Sequence, residues 1–154
     1  MSIPTKDTVF GKIQYENKQY DLLGQPIDKI QSDKLNQYKK ENNCGISSAS
    51  WSVNKFEWII KDGKLYLLSI KCKLCKNQEN LISDIFDTNE LFAFWVNKDI
   101  KLLISKKELG NNNQGRMMIE REVLILSFEN GLLNKLKRET EQYRSSSLKN
   151  YLDS

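Results

Sequence analysis

Histidine is absent from this 154-residue chain. That removes the commonest general base, the Ser-His-Asp and Cys-His nucleophile pairs, and the mixed Cys/His zinc sites. Arginine is scarce: Arg116, Arg121, Arg138 and Arg144 are the only four that can offer the planar fork favoured for phosphates and bases. Two prolines and seven glycines argue against long disordered linkers. No apolar run approaches the roughly 18 residues of a membrane-spanning helix. The opening M-S-I-P-T-K-D-T-V-F lacks the apolar core of a secretory leader. Three cysteines is an odd number, expected of reduced thiols in the cytoplasm. These absences predict a cytoplasmic protein with no membrane contact, no bound metal and no cofactor.

What remains is hydrophobic at 39% and charged at 29%, the balance of one globular domain over residues 1–154. Net charge is +4, and the excess gathers in residues 51–80, where six lysines face three acids. The strongest local signal is Phe56 to Ile70, F-E-W-I-I-K-D-G-K-L-Y-L-L-S-I. Asp62-Gly63 is the pair a type I′ turn asks for, because both central residues take positive φ. Counting outward sets Lys61 against Lys64, Ile60 against Leu65, Trp58 against Leu67 and Phe56 against Ser69. One face of this hairpin is then fully apolar, and the middle of the other is apolar too, which predicts a hairpin covered on both sides.

Around it, residues 10–22 predict a first hairpin turning at Asn17-Lys18. Pro26 to Lys40 predicts one or two short helices beginning at Pro26 and stopped by Asn42-Asn43-Cys44-Gly45. Leu81 to Phe86 predicts a single helical turn. A third hairpin is expected from Leu91–Val96 and Ile100–Ile104, turning at Asn97-Lys98-Asp99. Lys106–Gln114 predicts an exposed polar loop. A fourth hairpin, Glu122–Phe128 with Leu132–Leu136, turns at the type I′ pair Asn130-Gly131. Residues 10–136 thus form the β-rich core, and 137–154 reads as a weakly amphipathic helical tail. The fold expected is α+β, mainly β: an antiparallel, hairpin-built curved sheet or partly open barrel with one or two short helices.

Few constellations carry chemistry. Cys72 and Cys75 form a C-x-x-C among Lys71, Lys73 and Lys76. It reads as two free thiols in a basic loop, with a redox pair or half of a metal site as the sharper alternatives. Asp84, Asp87 and Glu90, and Glu120 with Glu122, are paired carboxylates better suited to a solvated surface than to acid–base work. Gly110 to Arg116 lacks the Gly-Lys-Ser/Thr ending of a phosphate loop. Trp51, Phe56, Trp58, Tyr66, Phe92, Phe94 and Trp95 fall at strand period and read as core before they read as a base-stacking platform.

The segment from Trp51 to Ile70 resembles a group of small uncharacterised bacterial β-rich proteins with a Trp, a Trp-Glu-Ile-containing strand, an Asp/Asn turn and a Lys-Leu-Tyr-Leu strand. Further likeness runs through Tyr20-Asp21-Leu22, Gln25-Pro26-Ile27, Leu91 to Trp95 and Leu126 to Leu132, covering most of 13–133. The Gly-rich aromatic stretch usual before the last hairpin is replaced here by Gln114-Gly115-Arg116-Met117-Met118. The resemblance implies a shared fold and an immunity role toward a secreted bacterial toxin. The leading expectation is therefore a non-enzymatic immunity protein that occludes a toxin domain. Its polar loops 71–80 and 106–116, with Lys71, Lys73, Lys76, Lys106, Lys107, Asn112 and Arg116, would meet the partner. A nucleic-acid-binding module using the Lys-rich region and sheet aromatics is the second expectation, and a hydrolase using Asp84, Asp87 or Glu120 the third.

Overall fold

A computed structural model describes residues 8–44, 54–76 and 79–145. Among these residues eight strands and two helices follow in the order β1 (Gly11–Tyr15), β2 (Lys18–Leu22), α1 (Lys29–Glu41), β3 (Asn54–Lys61), β4 (Lys64–Cys72), α2 (Ile82–Phe86), β5 (Leu91–Phe92), β6 (Asp99–Asn111), β7 (Met117–Glu129) and β8 (Leu132–Arg144). The chain is mainly β, as its sequence predicts. The sheet order is β3-β1-β2-β6-β7-β8-β4-β5, and a further β3–β4 pairing closes the strands into a ring. Among the described residues only β1–β3 is parallel.

Three tight turns shape the ring. Glu16-Asn17, Asp62-Gly63 and Asn130-Gly131 all take positive φ at both central positions, the twist that joins two antiparallel strands without splaying them. The first turn lies one residue earlier than Asn17-Lys18, because Asn17 fills its second position and Lys18 already pairs with Tyr15. In the central hairpin the expected partners hold from the turn as far as Trp58–Leu67. A bulge then sets Glu57 opposite Ser69 and Phe56 opposite Ile70, so the expected Phe56–Ser69 pair is displaced by one. The bulge turns Ile70 and Cys72 inward beside Leu65 and Leu67. Asn80 fastens the strand there: its Oδ1 accepts from the Ile70 and Ile82 amides at 3.0 Å each, and its Nδ2 donates to the Leu68 carbonyl at 2.7 Å. The hairpin's other face is not covered as expected, since Ile59, Tyr66 and Leu68 stay half-buried.

Inside the ring, Ile13, Leu22, Phe56, Trp58, Ile60, Leu65, Leu67, Ile100, Leu102 and Leu126 pack into one core, which Leu35, Leu81 and Ile82 join from the helical segments. A single helix forms there, within the one or two expected. Asp28, not Pro26, opens it, its Oδ1 accepting from the Gln31 amide at 3.2 Å. Asn42 ends it, as its sequence predicts, donating through Nδ2 to the Tyr38 carbonyl at 2.9 Å, with Lys39 and Lys40 in the last turn complementing the helix dipole.

Three further expectations are overturned. Leu91–Val96 does not form a hairpin with Ile100–Ile104: β5 is two residues long and pairs with β4, while β6 pairs with β2 and β7. Buried Ala93 and Val96 explain the difference, because the chain turns between them and Trp95 Nε1 donates to the Pro26 carbonyl at 2.7 Å. Lys106–Asn111 is strand, not loop, and residues 137–144 are strand, not helix. Both follow from the length of β7, whose backbone groups find partners along β6 and β8 for the whole of its thirteen residues. Of the expected tail, residues 146–154 lie outside the described residues, as do Ile46–Ser50 and Trp51.

The thiols are not all reduced. Cys44 and Cys75 are joined as a disulfide with their Cα atoms 4.4 Å apart, and Cys72 lies buried outside that bridge. The sequence neighbours Cys72 and Cys75 are therefore not a pair. Cys44 ends the helix stop and Cys75 ends the turn after β4, so the bridge ties α1 to the far end of the central hairpin.

Candidate interaction surface

The ring closes through slender joints on either side of β6–β7–β8. β6 meets β2 only at Leu102 and Leu103, then bulges near Ile104 and continues to Asn111. β8 meets β4 only at the Lys64–Leu132 pair. Beyond those points β6, β7 and β8 stand as a three-stranded arm with no further strand neighbour among the described residues.

Alternation along β7 gives the arm two faces. One carries Glu120 and Glu122. Lys107 lies 2.9 Å from Glu120, Gln142 Nε2 donates to the same carboxylate at 3.1 Å, and Arg138 pairs with Glu122. The other buries Ile119, Arg121, Val123 and Ile125. Arg121, only 6% exposed, must be paired to sit there. Its Nε donates to Glu141 at 2.8 Å, its guanidinium lies 4.8 Å from the centre of the Tyr143 ring, and Lys101 reaches the same Glu141 carboxylate.

These partners hold the glutamates below the ordinary carboxylate range. Lys107 and then Gln142 lower Glu120, and Arg138 lowers Glu122. For Glu141, burial works against ionisation, and the bonds from Lys101 and Arg121 outweigh it. A carboxylate whose folded pKa is depressed adds stability above its unfolded value of 4.5 and loses it as pH falls through the folded value. The melting temperature of the wild-type protein is therefore expected to fall more steeply below that pH than that of Glu141→Gln. Parallel thermal melts across acidic pH would show the two curves converging.

At the tip, Asn112 Oδ1 accepts from the amides of Gln114 and Arg116 at 2.9 and 3.0 Å. Its carboxamide oxygen thus helps to build the turn. Lys106, Lys107 and Arg116 are exposed on the arm, while Lys71, Lys73 and Lys76 are exposed at the end of β4 and its following turn. The structure does not bring these two groups together. β4 and β8 run antiparallel from their Lys64–Leu132 bridge, so β4 carries its lysines one way while β8 runs the other way to Arg144, which reaches Gln114 at the tip at 3.3 Å.

The candidate carboxylates are dispersed as well. Asp84 lines a cleft of about 450 Å³ between α1 and α2, Asp87 ends α2 in a left-handed conformation, and Glu90 pairs with Lys61. Glu120 stands in the arm. No cluster of three His, Cys, Asp or Glu residues suited to a metal occurs among the described residues. Phe56 and Trp58 belong to the core, Tyr66 packs on Phe92 with ring centres 5.7 Å apart, and Phe94, 60% exposed, meets the edge of Trp95. Among the described residues no helix is long and apolar enough to cross a membrane.

Sequence reasoning missed Arg121, Arg138, Glu141 and Tyr143 as parts of one two-faced arm. The signal was available, since carrying the Asn130-Gly131 register outward sets β8 against β7 well past Leu136. Comparison with protein families, curated proteins and solved structures gives no match to this chain.

Proposed function

We propose that the protein is a non-enzymatic binding protein, an immunity protein that covers the working surface of a bacterial toxin domain. The arm is the observation that supports this reading. Strands of thirteen residues exceed the usual three to ten, and the distal part of β8 is exposed almost throughout. Ordering such strands costs conformational entropy that little apolar burial repays within the chain, a pattern suited to a surface that a partner covers. Ion pairs on both faces hold the arm in one shape before binding, which lowers the cost of association. Exposed Phe94 supplies the aromatic type that often anchors protein interfaces.

The expected cytoplasmic address belongs to this proposal. The Cys44–Cys75 bridge pulls the other way, since such bridges persist in oxidising compartments. The test is affinity purification of the tagged chain from its native cells with neighbouring genes present. One stoichiometric protein that is toxic when expressed alone is the expected result. Lys107→Glu with Arg116→Glu is expected to weaken its capture by about tenfold or more. Recovery of no stoichiometric protein would overturn the reading.

A second reading, nucleic-acid binding, draws on Lys71, Lys73 and Lys76, which are exposed and have no acidic partner among the described residues. The same purification decides it: nucleic acid in the eluate that is lost at high salt would replace the first reading with this one.

A further inference from the structure

The outer edge of β8 is a long row of backbone donors and acceptors with no strand beside it among the described residues. Past Leu133, whose amide donates to the Gly63 carbonyl at 2.7 Å, residues 134–142 pair only with β7 among the described residues. An edge of this length is a template for another strand. Its charges are ordered: Lys135, Lys137 and Arg138 come first, and Glu139 and Glu141 follow. A strand that is basic in one half and acidic in the other is complementary to itself when two copies run antiparallel.

We propose that two copies of this chain pair edge to edge through β8 about a twofold axis at Arg138. An axis normal to the sheet keeps each residue opposite one on the same face, so partner numbers must sum to an even value. Centring on Arg138 sets Lys135 against Glu141 of the second copy, Lys137 against Glu139, and half-exposed Leu136 against Thr140. The two Arg138 side chains face one another with their charge already met by Glu122 of their own copy. Centring on Glu139 instead opposes two glutamates, each already paired with Lys137 of its own copy at 3.0 Å, leaves Lys135 facing Tyr143 and keeps only Lys137 against Glu141, half the attractive pairs of the first register. The ring would then be joined to its copy by a continuous six-stranded sheet made from two arms. This inference does not depend on the immunity reading, because the faces of the arm remain open.

Sedimentation of the purified full-length chain over a range of micromolar concentrations tests it. The expected result is a reversible species of twice the monomer mass. Lys137→Glu and Glu139→Lys, each alone, turn two attractive cross-strand pairs into two repulsive ones. Each should raise the dissociation constant by about tenfold or more. An equimolar mixture of the two variants restores both pairs and should restore the dimer, which a merely misfolded variant would not do. A monomer at every concentration overturns the proposal. So does a dimer indifferent to both variants, a loss that mixing fails to repair, or a β8 edge filled by an extended segment of a different protein.

Discussion

Trp58→Ala is expected to lower the free energy of unfolding by about 3–5 kcal/mol, the range for deleting a large buried aromatic. Trp58 is 1% exposed. It lies between Ile13 of β1, its parallel neighbour, and Leu67 of β4, its antiparallel one, so its removal hollows the ring where two hairpins meet. Against a total stability of about 5–15 kcal/mol for a domain, that loss unfolds a large share of the protein at physiological temperature. Urea denaturation would show the midpoint falling with the slope unchanged. Trp58→Phe serves as the control. Trp58 Nε1 is buried without a hydrogen-bond partner among the described residues, and an unmet buried donor is itself costly. The phenylalanine variant should therefore lose much less than the alanine one. Equal losses from the two would mean that the indole is not packed as described.

Gly131→Ala is the second large effect, and Gly63→Ala shows why. Both glycines hold the second position of a type I′ turn, with φ of 79° and 72°, so an added Cβ strains each backbone by about 1–2 kcal/mol. Gly63 has open space around it. A Cβ on Gly131 would come within 2.5 Å of the Ala93 carbonyl oxygen, a backbone atom with nowhere to go. The segment after β5 lies against this turn, with the Gly131 amide donating to the Val96 carbonyl and the Asn130 amide to Asn97 Oδ1. Gly131→Ala should add an overpacking cost of about 1–3 kcal/mol to the strain, while Gly63→Ala pays the strain alone. Thermal melts of the two variants side by side should show the gap, and equal shifts would mean the close approach to Ala93 is absent.

The same contrast shows what could be read in the chain beforehand. Asp62-Gly63 and Asn130-Gly131 announce themselves because the turn chemistry is local. The first turn was misplaced by one residue because Glu16, at φ 51°, carries no comparable signature. Strands β3, β4 and β7 were legible from period-two patterns, since the ring buries alternate side chains. The bulge opposite Glu57 was not, because it answers to packing in the assembled ring. The outer halves of β6 and β8 were hidden for the opposite reason: their residues are polar on both faces, so burial leaves no pattern. The arm, the candidate site, was therefore the least legible part. Lys106 and Lys107 read as loop residues in the sequence but sit on β6, Arg116 does lie in the turn between β6 and β7, and the turn-building bonds of Asn112 leave no mark in the sequence. The Cys44–Cys75 pairing was beyond reach of spacing, because it depends on where α1 ends relative to β4.

The parallel β1–β3 contact also governs how the molecule assembles in time. β1–β2, β3–β4 and the β6–β7–β8 meander each join strands that are neighbours in sequence, and such hairpins form in roughly 1–10 μs. Gly11 beside Phe56 and Lys64 beside Leu132 join segments that the chain must first bring together across long loops, at an entropic cost met before any contact rewards it. The slow event is therefore the closing of the circle, with three ready-made pieces waiting on three seams, β1–β3, β2–β6 and β4–β8. Until those seams shut, the bare edges of β3 and β4 lie open, and the route to the native state is most exposed to misassembly at that stage.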